Sequence, residues 1–147
     1  MEYREPSDIE IFTWDKGAVI RETSLIAVDA NGRILSIGRE SQYIQHPDAR
    51  IFSPLKDGKI ADWEESRKML IWYVSQVWKG HLFKKPKIAV CMVPGATGVE
   101  KTAMEEAMYA AGARKVLLTE LPREEFTRED ASKEYDLIIS IGQNFRA

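Results

Sequence analysis

Glu100, Glu105 and Glu106 are the carboxylates whose clustering invites an acid–base reading, and Gly95-Ala96-Thr97-Gly98 just ahead of them has the form of a phosphate-cradling turn. General acid–base work needs a carboxyl held against its reacting partner with its proton affinity tuned by a neighbour. The spacing argues otherwise. Glu100 follows Thr97 at capping-box distance, so its side chain returns to the start of a helix. Glu105 and Glu106 read as the solvated face of that helix. The turn at Gly95, Ala96, Thr97 and Gly98 would present free N–H groups and a positive helix end to an anion. A short glycine-rich turn also serves as a plain strand-to-helix connection, and both readings stand. His46 and His81 are isolated, without partners at metal-ligand spacing, so no metal is expected. Cys91, the single cysteine, lies in the apolar run Ile88–Val93 and reads as a small core residue; no intrachain disulfide is possible.

The elements that must position these residues come from a chain of 147 residues, enough for one domain with a real core. Its 44% hydrophobic and 30% charged fractions are those of an ordinary globular protein. A net charge of −2 gives no support to nucleic-acid binding. Met1–Asp8 is polar and acidic, with no leader-like apolar stretch behind it, and no run reaches the length of a membrane span. A cytoplasmic location is the expectation.

Ile9–Trp14 and Ala18–Ile20 flank Asp15-Lys16-Gly17, and Leu25–Asp29 and Arg33–Ile37 flank Ala30-Asn31-Gly32; two hairpins in succession predict an antiparallel meander. Gly38–Pro54 reads as a loop or small subdomain, an insertion at about residues 39–56. Asp62 caps a helix whose Met69, Leu70, Trp72, Tyr73, Val77 and Trp78 recur at helical spacing and are expected in the core rather than on a partner-binding stripe. Ile88–Val93 is a strand covered on both faces, Val99–Ala111 a helix stopped by Gly112, and Val116–Thr119 a second buried strand. Pro122–Glu134 reads as a charged helix and Tyr135–Ile141 as the last strand. The alternating second half predicts a parallel sheet built from βαβ units.

Several of these segments resemble the bacterial actin-like, rod-shape-determining proteins of the MreB family. Pro54-Leu55-Lys56-Asp57-Gly58-Lys59-Ile60-Ala61-Asp62-Trp63 resembles the family's P-M-R-D-G-V-I-A-D-Y/F segment. Arg21-Glu22-Thr23-Ser24 stands where the family has Asn-Glu-Pro-Ser. His81–Lys87 is similar to the loop before the next strand, and Val93–Pro122 to the following helix and strand. The likeness runs from about Asp8 to Pro122 and weakly on to Gly142. It implies an actin-like (ribonuclease-H-like) α/β fold, with residues 1–147 forming one domain equivalent to the family's first.

The departures bear on activity. The family opens with a strand ending in a D-x-G-T phosphate loop, whereas Met1–Pro6 has neither glycine nor strand pattern. Where the family's E-E-P motif places the glutamate that positions the catalytic water, this chain has Leu121. Where the second phosphate loop, D-I-G-G-G-T-T, has its metal-binding aspartate, this chain has Ser140. The family's second domain, which holds the adenine, lies beyond the match. The resemblance therefore implies a non-catalytic protein with no ATP or magnesium cofactor. It would act in cell shape through protein partners, full-length actin-like filament subunits, in an oligomeric state left open. The alternative is a nucleotide-binding half of an ATPase completed by another chain; a third reading is a remnant without activity. In the family a Leu-Phe pair in the loop at Leu82-Phe83 dips into the inner leaflet, which would put Leu82, Phe83, Lys84, Lys85 and Lys87 at the inner face of the cytoplasmic membrane. Two inserted apolar side chains would contribute ~1.5–3 kcal/mol each and each lysine ~1 kcal/mol. The other reading packs Phe83 under the helix end and solvates the lysines. Finally, the family's first strand lies between the strands matching Ile9–Trp14 and Ile88–Val93, and Asp136–Ile141 is expected to fill that place.

Overall fold

The two glycine turns make their hairpins. In the computed structural model, which describes residues 8–56, 59–79 and 84–142, β1 (Asp8–Thr13) and β2 (Gly17–Thr23) pair antiparallel. Gly17 takes the positive φ of 74° that their connection requires. β3 (Ile26–Val28) and β4 (Ile34–Ile37) form the second hairpin. In its turn the Asp29 carboxylate accepts the N–H groups of Asn31 and Arg33, each at 2.9 Å. The two hairpins do not continue into one meander. β3 instead joins β4 and β5 (Arg50–Phe52) in a separate three-stranded sheet. The break falls at Ser24, whose buried hydroxyl meets Ser53 Oγ at 2.8 Å and donates to the Leu55 carbonyl at 3.0 Å, drawing the chain out of the first sheet. The stretch expected as a loop thus supplies a strand, after a 3-10 turn at Arg39–Tyr43. β6 (Leu55–Lys56) and β7 (Lys59–Ile60) pair and lead into α1 (Trp63–Val77).

α1 starts where the sequence indicates, with the Asp62 side chain accepting from the Glu65 N–H. β8 (Lys87–Cys91), α2 (Gly98–Ala110) and β9 (Lys115–Thr119) follow as a βαβ unit, β8 and β9 running parallel. β9 is an edge strand and only half-buried, not covered as its apolar run suggested. Pro122–Glu134 is not one helix. It forms a single turn, α3 (Arg123–Phe126), and a 3-10 turn at Asp130–Glu134. The segment has too little apolar surface to hold a long helix against the sheet. Only Phe126 anchors α3 in the core, and the Thr127 and Ser132 hydroxyls bond back to the carbonyls of Arg123 and Glu129.

β10 (Leu137–Ile141) then enters the middle of the five-stranded sheet, whose order is β2-β1-β10-β8-β9. It runs antiparallel to β1, with Ile9 opposite Ile141 and Ile11 opposite Ile139. It runs parallel to β8, with Leu137 opposite Ile88 and Ser140 opposite Cys91. Both flanking strands are thereby paired, which a sheet interior requires. The ends are fastened too: the Asp136 N–H donates to the Lys87 carbonyl at 2.8 Å, and Gly142 N–H to the Asp8 carbonyl at 2.9 Å. Every residue of β10 is buried, as a strand covered on both faces must be. Leu137, Ile139 and Ile141 face α1 and α2 together with Ile9, Ile11, Ile88 and Val90. Ile138 faces the other way, into a smaller cluster with Ala89, Cys91, Phe126 and Tyr135.

This placement makes Ile139, fully buried at the centre, a sensitive position. Ile139→Ala is expected to lower the unfolding free energy by about 2–5 kcal/mol in urea titrations. A loss below about 1 kcal/mol would be the cost of an exposed strand and would contradict a central β10.

Candidate functional site

In an open α/β sheet, ligands bind beyond the carboxyl ends of the parallel strands. At that end, on the face turned from α1 and α2, register places Arg21, Glu10, Ser140, Cys91 and Thr119 in one row across the five strands. Glu10 is 1% exposed. Its Oε2 accepts from Arg21 Nε and its Oε1 from Arg123 Nε, both at 2.9 Å. The Arg123 guanidinium also lies over the Phe12 ring, 4.8 Å from its centroid. Glu10 thus ties α3 to the sheet, and its charge is already shared between two arginines.

Ser140 is fully buried next to Cys91. Burial pushes the Cys91 thiol up to about 11, against the opposing pull of the Ser140 hydroxyl and of Arg123. Leu121 packs, half-buried, against the cluster of Cys91, Phe126, Tyr135 and Ile138. The two positions at which the resemblance implied a metal-binding and a catalytic carboxylate therefore hold side chains that serve the core. Neither of these two positions carries the anionic oxygen that magnesium coordination draws on, and among the described residues this pair does not fit a magnesium ion.

At the start of α2, Gly95 has φ 90°. Thr97 Oγ1 accepts from the Glu100 N–H at 3.2 Å, the N-cap half of the capping box that the sequence predicts, and donates to Glu100 Oε1 at 3.0 Å, a hydroxyl bond in place of the box's bond from the Thr97 N–H. The Gly95 N–H donates to Glu120 Oε1 at 3.3 Å, and Lys101 Nζ stands 3.7 Å from the same carboxylate oxygen. The chain's own Glu120 thus takes up the Gly95 N–H at the start of this turn. Glu105 and Glu106 are exposed. His46 accepts the Asp48 N–H in its loop, and His81 lies outside the described residues.

Leu82 and Phe83 also lie outside the described residues. Lys84 and Lys85 are exposed, the Lys84 carbonyl accepting from Trp78 Nε1 at 2.6 Å. Lys87 starts β8 and, with Lys115, meets the Glu134 carboxylate at 3.4 and 2.8 Å respectively. The hydrogen bond from Lys115, and then that from Lys87, hold the Glu134 carboxyl below its usual range. No helix among the described residues is long and apolar enough to cross a membrane. On α1, Met69, Leu70 and Tyr73 are buried as expected, whereas Trp72 is 42% exposed. Its position points between the sheet and solvent, because the helix face that meets the core is filled by Met69, Leu70, Tyr73 and Val74.

The pair of arginines on Glu10 was not foreseen from the sequence. Hairpin counting could have set Arg21 opposite Glu10, but nothing local signals Arg123, which is 113 residues away.

Comparison with known proteins places these features in a family. A family model described as MreB/Mbl protein matches residues 7–124. The cell shape-determining protein Mbl of Bacillus cereus is 34% identical over 121 residues, a match covering 80% of this chain and 36% of the relative. The cell shape-determining protein MreB of Haemophilus influenzae is 36% identical over 121 residues, covering 76% of this chain and 34% of the relative. Among solved structures, MreB5 of Spiroplasma citri bound to ADP superposes with a TM-score of 0.68 at 24% identity, covering 79% of this chain and 36% of that one. The fold is thus actin-like, and the chain spans about a third of the length of the curated relatives that it matches.

Two outcomes follow from the row. Arg123→Ala leaves Glu10 buried with one arginine, and unfolding free energy is expected to fall by about 1–3 kcal/mol. Arg123→Lys should recover little of this, since an ammonium cannot both stack on Phe12 and reproduce the Nε–H bond. The Cys91 thiol, raised from 9.0 to about 11, favours the folded state while protonated. That contribution is complete below pH 9 and declines as pH rises towards 11. Native protein at pH 8 should react with a disulfide reagent only as fast as it opens; an immediate full reaction would place the thiol outside the core.

Proposed function

Because this chain belongs to the MreB/Mbl family, we propose that it serves cell shape without catalysis, by contacting longer actin-like subunits and modulating their filaments. The observation that carries this reading is the position of β10. It fills the sheet between β1 and β8 and takes Ser140 into the interior, while Leu121 packs into the core of the same face. Neither Ser140 nor Leu121, both taken up in this packing, is a group suited to phosphate transfer. The chain's location is cytoplasmic in this reading. Attachment at the inner face of the membrane would come from Leu82 and Phe83 with Lys84 and Lys85 beside them; Lys87 is less available because Glu134 engages it. One such loop gives weak, reversible attachment, which becomes firm when several copies act together.

Isothermal calorimetry with Mg-ATP is expected to show no binding in the micromolar range and no turnover. Micromolar affinity with hydrolysis would overturn this reading and favour a nucleotide-binding half completed by another chain. The purified chain is expected to co-sediment with filaments of a full-length relative and to change their amount or length. In flotation with anionic vesicles, Leu82→Ser/Phe83→Ser is expected to float less than the wild type, and equal flotation would assign the loop to packing.

A further inference from the structure

The five-stranded sheet has two edges, and they are finished differently. β2 carries a bulge, since its register with β1 passes from Ile20 to Ala18 and leaves Val19 without a partner, and it sets Arg21 and Glu22 in its second half. A bulge and charged side chains are common protection for an exposed edge. β9 lacks the bulge, and the middle of its row carries no charge. Its register with β8 runs unbroken from Lys115 opposite Lys87 to Thr119 opposite Cys91. Val116, Leu117 and Leu118 in its middle are half-buried. Lys115, its one charged residue, is drawn away to the Glu134 carboxylate at 2.8 Å and lies over the Tyr135 ring. Among the described residues β9 pairs with β8 alone.

The open side of β9 can be read from its ladder. The Met92 N–H donates to the Thr119 carbonyl at 2.8 Å, so the backbone groups of Thr119 face β8. Successive residues of a strand turn their N–H and C=O groups to opposite sides. Thr119 and Leu117 therefore bond inward, while Val116 and Leu118 present theirs outward. Such a flat apolar row is a template for another strand.

The sequence around this row is complementary to itself. A second copy can lie antiparallel about a two-fold axis through Leu117. Val116 then meets the copy's Leu118, and Leu118 the copy's Val116, so the residues with open groups are the ones that pair. Lys115 meets Thr119, and one residue beyond each strand end the same count brings Arg114 to Glu120, twice by symmetry. Arg114 is exposed and its guanidinium meets no carboxylate among the described residues. The Glu120 side chain is 44% exposed, with Lys101 Nζ at 3.7 Å and the Gly95 N–H at 3.3 Å, and keeps room for a second cation. An axis through Val116 or Leu118 would set Arg114 against Leu118 or Pro122 and match neither charge.

We propose that β9 pairs antiparallel with the β9 of a second copy, about an axis through Leu117, and joins the two sheets into one. This is an isologous contact, in which each side supplies the same patch. Main-chain hydrogen bonds of Val116 and Leu118 give it affinity, and the two Arg114–Glu120 pairs fix its register. Two short strands make a small interface, so association is weak and reversible. The inference rests on this edge and does not depend on whether the chain binds nucleotide or filaments.

The test is sedimentation velocity of the purified chain between ~10 μM and ~1 mM, together with amide hydrogen exchange over the same range. The expected result is a shift from one chain to two as concentration rises, with slower exchange at the Val116 and Leu118 amides and no change at Leu117. Arg114→Glu sets like charges opposite each other twice and should raise the dissociation constant about tenfold. The exchanged pair Arg114→Glu/Glu120→Arg should restore it. Both side chains are exposed, so the variants keep the fold. A single chain at every concentration, with constant exchange at Val116 and Leu118, would overturn the proposal and leave the edge to a different partner. A dimer that Arg114→Glu leaves unchanged, or that the exchanged pair does not restore, would also overturn it.

Discussion

A β-sheet cannot keep two unpaired strand edges in its interior. Each open N–H or C=O there would cost free energy comparable to a lost hydrogen bond, and a hydrophobic seam would face water. In this chain β1 and β8 would be such edges, since β1 carries β2 on its other side and β8 carries β9. β10 removes both at once. Its residues pair with β1 on one side and β8 on the other. Leu137, Ile139 and Ile141 then complete the core beneath α1 and α2. The rest of the domain depends on that fit: α1 and α2 have a continuous apolar surface to cover only because the middle of the sheet is filled.

The same fit sets the chemistry of the sheet's carboxyl edge. A strand buried on both faces carries its own side chains inward, so Ser140 ends between Glu10 and Cys91 and away from solvent. α3 is held over this face by Phe126 and by the Arg123–Glu10 pair, and Leu121 closes the cluster beside it. A buried carboxylate shared by two arginines is a locking device rather than a reactive group. Its charge is compensated on both oxygens, and separating either partner would leave an unpaired buried charge. Among the described residues this edge is a structural seam, and the proposed reading of the domain as a contact module rests on it.

Much of the architecture was legible in the sequence because it rests on local rules. Gly17 and Gly32 mark the hairpins, Asp62 and Thr97 the helix starts, and the apolar residues Leu137, Ile138, Ile139 and Ile141 a strand covered on both faces. The central place of that strand was also legible, from the resemblance and the need to pair two edges. What was missed depends on distant partners. The meander breaks because Ser24 bonds to Ser53 and Leu55. The charged segment before β10 does not become a helix, because only Phe126 gives it a foothold in the core. Trp72 looked like a core residue by spacing, yet its neighbours on α1 fill the core side and leave it exposed. The Glu10–Arg123 bond spans nearly the whole chain, and no periodicity announces it.

The central claim is that one molecule of this chain inserts its own β10 between β1 and β8. Cross-strand nuclear Overhauser contacts, measured at dilution on a mixture of isotope-labelled and unlabelled protein, test it most directly. The account predicts contacts from β10 to Ile9 and Ile11 on one side and to Ile88 and Val90 on the other, all within labelled molecules and independent of concentration. Contacts to one neighbour only, or contacts between labelled and unlabelled molecules, would contradict it.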